Sequence, residues 1–373
     1  MLFTDVAAPE SIKTRLTRLA GNGRVAHALL FFGESGGAQL PTAVAFARFL
    51  FCEKRSTHDS CGTCPSCLKI NKLAHPDLHW VFPIALSKDI RKSDDVLPEF
   101  REAFLEFPYL GLNDWFNSLD AENKQPVIGK DEANEIIRKL NYTSYEGRGK
   151  IMIIWMPEKM NGDAANKLLK ILEEPPDETF FFLVSSAIEQ LLPTILSRVQ
   201  MVQVHNATLN EVAKVVAKNF QISEQQSQQI ASMAQGNIKE AYLLADDNTS
   251  ANIYLELYRN FMRSSLRFDP FKITAWIDEI QSLGREKQKQ FLVYALQMFR
   301  NSILIKHIPQ QITGSDDEKD FLQKFHPYIT QKNHEALADE FGKASYHIER
   351  NANTKIVFMD LAMKTNELLN IPR

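Results

Sequence analysis

Over the first two hundred residues, short apolar runs alternate with stretches of helical periodicity. "HALLFFG" at 27–33, "KIMIIW" at 150–155, "TFFFLVSS" at 179–186 and "VQMVQV" at 199–204 are continuous rather than alternating apolar runs. Such runs, separated by helices, predict a parallel sheet covered on both faces. Between the second and third of them, "NGDAANKLLKILEEPPDE" puts Ala165, Leu168, Leu169 and Leu172 on one helical face, and Pro175 and Pro176 end that helix. Another helix is expected over "AIEQLLPTILSR", closed by Arg198.

From about residue 208 the strand signal disappears. "TLNEVAKVVAKNF", "SEQQSQQIASMAQ" and "NIKEAYLLAD" predict three short helices, with Thr208 and Ser223 as N-caps and a break at Gly236. Beyond "DDNTSAN" the chain is again helical, with apolar residues recurring at Leu292, Leu296, Phe299 and Ile303. The loop "TGSDDEKD" at 313–320 precedes a final helical pair. The pattern predicts an α/β domain over 1–207, a helical domain over 208–248 and a larger all-α domain over 249–373.

At 373 residues the chain exceeds a typical single core. Its 44% hydrophobic and 24% charged residues suit a globular protein, and a net charge of −3 offers no global attraction to nucleic acid. The start "MLFTDVAAPE" lacks the basic and apolar regions of a signal peptide, and runs such as "IMIIWM" are too short to span a bilayer. A cytoplasmic location, without membrane association, is the expectation.

All four cysteines fall in "CEKRSTHDSCGTCPSC", spaced C-x8-C-x2-C-x2-C at Cys52, Cys61, Cys64 and Cys67. A C-x2-C step lets two thiolates converge on one ion through a tight turn, which Gly62 and Pro65 favour. Four thiolates supply a closed, structural Zn²⁺ site. The alternatives are reduced core cysteines, which would not cluster; disulfides, which a cytoplasmic chain disfavours; and an iron–sulfur cluster. For the last, the position of the fourth cysteine is Asn71, with no proline after it. Zinc is the preferred reading.

The strand–glycine turn–helix layout of "LLFFGESGGAQLPTAVAFA" is that of a phosphate-binding loop, G-x-x-x-x-G-K-[ST]. Counted from Gly33, through Gly36 and Gly37, the second pattern glycine falls on Ala38, the lysine on Gln39 and the hydroxyl on Leu40. The loop has therefore lost the lysine that meets the phosphates and the ligand for Mg²⁺. Where a later strand would present acidic residues, the run "KIMIIWMPEK" offers Trp155 and Met156, and Glu158 is displaced by two or three residues. ATP hydrolysis at this site is not expected.

Together, "HALLFFGESGG", the four-cysteine module, "NKLLKILEEPPDETFFFLVSS" and "LLPTILSRVQ" resemble the AAA+ clamp-loader subunits of bacterial DNA polymerase III over about residues 24–204. The resemblance implies an α/β P-loop AAA+ domain with a zinc module at about 50–80, a three-helix lid at 208–248 and a C-terminal helical collar at 249–373 that joins a ring. It implies a non-hydrolysing subunit that helps to load a sliding clamp onto primed DNA. Its partners would be the tau/gamma and delta subunits, with the clamp and primer–template DNA reached through the complex. The family's Ser-Arg-Cys motif falls on Ser197, Arg198 and Val199, so Arg198 would act as an arginine finger on a neighbouring subunit's ATP. Ser185 and Ser186 stand where active relatives sense the γ-phosphate, and Lys239 stands near a second sensing position. Two other readings are an active tau/gamma-type ATPase and a stand-alone zinc-containing nucleic-acid-binding protein. The stretch at about 85–127 is longer than the family leads one to expect. Phe100, Phe104, Phe107, Tyr109, Trp115 and Phe116 make it a self-packed helical insertion, or alternatively a partner-binding surface.

Overall fold

The computed structural model describes residues 1–121, 124–234, 236–246, 250–307, 316–330, 332–350 and 352–371. The predicted loops at 246–252 and 313–320 lie partly outside these residues. The chain divides into two compact units, Met1–Glu224 with Ala234–Tyr242, and Gln225–Met233 with Leu243–Arg373.

In the first unit, α1 (Glu10–Gly21) leads to β1 (Ala28–Phe32), α2 (Gln39–Phe51) and the short α3 (Pro65–Asn71). Then come β2 (Leu78–Val81), β3 (Ile84–Ala85), α4 (Leu97–Glu106), α5 (Leu112–Ser118), β4 (Pro126–Val127) and α6 (Lys130–Asn141). The core closes with β5 (Lys150–Trp155), α7 (Gly162–Glu173), β6 (Thr179–Ser185), α8 (Pro193–Leu196), β7 (Gln200–Gln203) and α9 (Leu209–Phe220). Five strands form a parallel sheet in the order β2-β5-β6-β1-β7, while β3 and β4 pair antiparallel.

The apolar runs are continuous because both faces of the sheet are covered. Leu30, Met152, Ile154, Phe181 and Leu183 share one core with Ile136 of α6 and Leu168 and Leu172 of α7. On the alternate positions, Phe31 and Phe182 each place their ring 5.4 Å from a neighbour, Phe31 from Phe182 and Phe182 from Phe46 of α2. All four predicted strands are present within a residue or two of their expected ends. The edge strand β2 was not anticipated: it has four residues, one of them His79, and among the described residues it pairs only with β5.

The long helix expected over 187–198 is not continuous. Ile188–Gln190 is a 3₁₀ turn and only Pro193–Leu196 is α-helical. Leu192 is extended (φ −63°, ψ 133°), because the ring of a following proline disfavours the helical region. The insertion packs on itself and on the sheet domain. Phe100, Phe104, Trp115 and Phe116 are buried, the Phe82 and Phe100 rings stack at 4.0 Å, and Trp115 Nε1 donates to the Pro83 carbonyl at 2.8 Å.

α9 opens with the expected cap: the Thr208 hydroxyl accepts from the Glu211 amide, and Glu211 reaches back to Thr208. Next come α10 (Glu224–Met233) and α11 (Ile238–Asp246), each contributing residues to both units. Gly236 precedes α11 at φ +84°, and a Cβ there would lie 2.5 Å from the Ala207 carbonyl oxygen. The second unit is all helical through α12 (Ser250–Arg267), α13 (Pro270–Ser282), α14 (Arg285–His307), α15 (Asp316–Phe325), α16 (His334–Glu349) and α17 (Thr354–Leu369). Tyr258, Phe261, Trp276, Phe291, Phe341 and Phe358 centre its core, with Leu292 and Phe299 buried among them and Leu296 and Ile303 packed against it.

Candidate functional site

The four cysteines converge. Cys52 follows the last residue of α2, Cys64 caps α3, and Cys67 lies in that helix's first turn. Between Cys61 and Cys64, Gly62 takes φ +78°, the left-handed turn that brings the two thiols to one side. All four sulfurs lie within 4.8 Å of one another, and the Cys61–Cys67 separation is 4.0 Å. Ligands of a tetrahedral zinc at ~2.3 Å would be ~3.8 Å apart, so the set fits such an ion. None of the four forms a disulfide.

The surroundings fit as well. The Cys61 amide donates to Cys52 Sγ at 3.2 Å and the Cys64 amide to Cys61 Sγ at 3.3 Å. Amide donors from Thr63 and Cys64 pull the Cys61 thiol down to about 6, whereas burial pushes Cys52 up to about 12 and raises Cys67. Arg48 is only 2% exposed, its Nε has no partner, and its guanidinium is the main group lowering Cys67. An anionic tetrathiolate centre would give this buried cation its counter-charge. Asn71, where an iron–sulfur pattern would need a cysteine, instead accepts from Arg48 Nη1 and the N-terminal amine, each at 2.7 Å. The module is anchored to the sheet domain through Glu146, which pairs with Lys69 and with His75 Nε2 at 3.0 Å and receives the Ser66 hydroxyl at 2.9 Å.

The predicted nucleotide elements also come together. A small cleft, open to solvent, lies at the carboxyl ends of β1, β5 and β6, where open α/β sheets bind ligands. Ser35, Gly36, Gly37, Gln39 and Leu40 line it together with Trp155, Met156, Ser185 and Ser186. Gln39 does more than lack a charge. Its side chain folds back so that Nε2 donates to the Glu34 carbonyl at 2.7 Å, and a Cβ on Gly33 would lie 2.5 Å from that nitrogen. The amide thus lies across the loop, where a P-loop lysine would reach outward to phosphate. At the end of β5, Met156 is left-handed (φ 57°), an uncommon conformation for a non-glycine residue. Burial raises the Glu158 carboxyl above its ordinary range, and its Oε2 has no partner.

Lys239 lies beside the loop: its amide donates to the Gly36 carbonyl at 3.3 Å and its Nζ pairs with Asp114 at 2.8 Å. Arg198 belongs to another part of the unit. Its Nη1 donates to the Thr194 carbonyl at 2.9 Å and the Ser197 hydroxyl at 3.1 Å, and its Nη2 pairs with Glu173 at 2.5 Å. The guanidinium is a third exposed, at the C-terminal end of α8. Sequence reasoning missed Pro108, Tyr109, Leu110 and Gly111 of the insertion, which complete the wall of the cleft, and Asp114, the partner of Lys239. The aromatic content of 85–127 signalled packing but not its destination.

A parallel P-loop-like core, a module of four converging cysteines and an all-helical second unit are the parts of an AAA+ clamp-loader subunit. The chain belongs to the family described as DNA polymerase III, delta subunit, whose model matches residues 8–208, more than half of the sequence. It is 29% identical over 179 residues to the DNA polymerase III subunit delta′ of Escherichia coli (strain K12), covering 48% of this chain and 42% of that one. It is 29% identical over 177 residues to its namesake in Bacillus subtilis (strain 168), covering 48% and 41%. The gamma/tau subunit of Mycobacterium bovis is 27% identical over 196 residues, covering 52% and 27%. The chain thus spans less than half the length of these curated relatives. Among the described residues, no helix is long and apolar enough to cross a membrane.

Proposed function

We propose that this chain is the non-hydrolysing, delta-prime subunit of a DNA polymerase III clamp loader, helping to place a sliding clamp on primed DNA. The observation that carries the reading is the state of the cleft. Gln39 and Leu40 replace the catalytic lysine and hydroxyl, the Gln39 amide folds across the loop, and Trp155 and Met156 end the strand that would carry acids. The chain would then contribute to ATP hydrolysis only at a neighbour's site. Arg198 is the group for that task, since a planar, permanently charged guanidinium can neutralise charge building on a transferring phosphoryl group. Ser197 would hold the guanidinium in place, and assembly would have to release it from Glu173.

The proposed partners are the tau/gamma and delta subunits, with clamp and primer–template DNA engaged through the complex, in the cytoplasm. Residues 249–373 would form the collar of the ring, 208–248 the lid and 1–207 the AAA+ domain. Cys52, Cys61, Cys64 and Cys67 would hold a structural Zn²⁺, which supplies a cross-link for a segment with little apolar core of its own.

The test is ATP turnover by the reconstituted loader with clamp and primed DNA, comparing the parent with Arg198→Ala and checking assembly by size. The expected result is a fall of about 10³-fold with assembly intact. Unchanged turnover would reduce Arg198 to a surface residue and the chain to a scaffold, and ATP turnover by the isolated chain would defeat the non-hydrolysing reading altogether.

A further inference from the structure

The insertion does more than fill a gap on the surface. Pro108–Gly111 form one wall of the cleft, and the next turn places Asp114 on Lys239. Asp114 is held in position because its Oδ2 also accepts the Gly111 amide at 2.5 Å. Lys239 is itself bound to the phosphate loop through the Gly36 carbonyl, and Asn237 Nδ2 donates to the Ser35 carbonyl at 3.1 Å. A cation beside a glycine-rich loop at a helix N-terminus would ordinarily share a phosphate with it. Here that cation meets a carboxylate of the same chain.

The other end of the segment is equally engaged. The Tyr109 hydroxyl accepts the Ala7 amide at 2.9 Å, and Tyr109 is 2% exposed. The Tyr242 ring lies 5.3 Å from Phe107, 5.5 Å from Tyr109 and 5.1 Å from Phe220. Residues 107–114 therefore line the cleft while contacting the N-terminal segment and residues 239–242, with rings at one end and an anion at the other.

We infer that residues 107–114 are a built-in brace beside the cleft, in which the Asp114 carboxylate gives Lys239 the anionic partner a phosphate would otherwise supply and holds residues 237–242 against the phosphate loop without any nucleotide. This rests on the reading of the cleft as a former nucleotide site. The device frees the subunit from the nucleotide cycle: the contact between the loop and residues 237–242 neither forms nor breaks with ATP. It also gives the long insertion a role within the chain.

Amide hydrogen exchange on the full, metal-loaded chain tests it. In the parent, adding MgATP should leave exchange at 34–39 and 237–242 unchanged. Asp114→Asn, which keeps an acceptor for the Gly111 amide, should speed exchange at 237–242 by roughly three- to fivefold, the size expected of a partly exposed ion pair. The charge-exchanged pair Asp114→Lys with Lys239→Asp should exchange more slowly than either of its single variants. Protection of 34–39 by MgATP in the parent would overturn the inference, as would unchanged exchange in Asp114→Asn. Failure of the non-hydrolysing reading would register separately, as turnover of MgATP by the isolated chain.

Discussion

Glu132 shows how one side chain couples stability to pH. It lies in the first turn of α6, accepts the Ser93 amide, and keeps an Oε1 without a partner. Burial raises its carboxyl from 4.5 to about 7. A group whose folded value is raised contributes stability that is fully present below its unfolded value and is lost as pH rises through its folded value. The window is therefore about pH 4.5 to 7. Glu132→Gln keeps an acceptor for Ser93 and removes the titration. It should be more stable than the parent at mildly alkaline pH by about 3 kcal/mol, with little advantage in acid. Urea unfolding across that range measures this, and a parent-like fall in the variant would move the effect to another group. The Gln39 type was legible as a lost lysine, but its folding back onto the Glu34 carbonyl was not. That outcome depends on the loop backbone, which local sequence does not specify.

At the scale of elements, the four-cysteine segment is the clearest case of chemistry read directly from spacing. Between the end of α2 and α3 the chain has no regular structure of its own from Cys52 to Cys64, and its buried apolar cluster is the cysteines themselves. With zinc bound as proposed, such a segment would depend on that cross-link. Cys61→Ser or Cys64→Ser should destabilise it by about 2 kcal/mol or more and open 52–71 to protease, and a chelator should do the same to the parent. Retained thermal stability after stoichiometric metal removal would contradict the structural role. The long apolar strands were legible because both faces are covered; β2 was missed because four residues at a sheet edge carry too little pattern. The shortened α8 follows from Pro193, whose effect on Leu192 outweighed the apolar periodicity across it.

At the scale of the whole molecule, the chain divides into two compact units, each with its own packed interior. The second unit gathers aromatic rings from α12 through α17, with Trp276 Nε1 donating to the Leu257 carbonyl at 2.9 Å. Trp276 is 3% exposed and its ring centroid lies 4.6 Å from that of Phe261. Trp276→Ala should cost the second unit about 3–5 kcal/mol. Exchange protection of β5 and β6 should persist, because their residues lie in a separate core. Simultaneous loss of protection in both units would show that they unfold as one.

The amino-acid sequence by itself determined the class of each segment: strands from continuous apolar runs, helices from their period, a candidate metal site from thiol spacing, and a glycine-rich loop that departs from the phosphate-binding pattern at three positions. These are local properties, written in residues close together along the chain. Only the tertiary structure decided where the 85–127 insertion lies, that Asp114 meets Lys239, that Arg198 is held by Glu173, and that Arg48 is buried beside the thiols. Each of those joins residues 19 to 125 positions apart. Their meeting is set by how the elements pack, and no periodicity or motif within either partner encodes it.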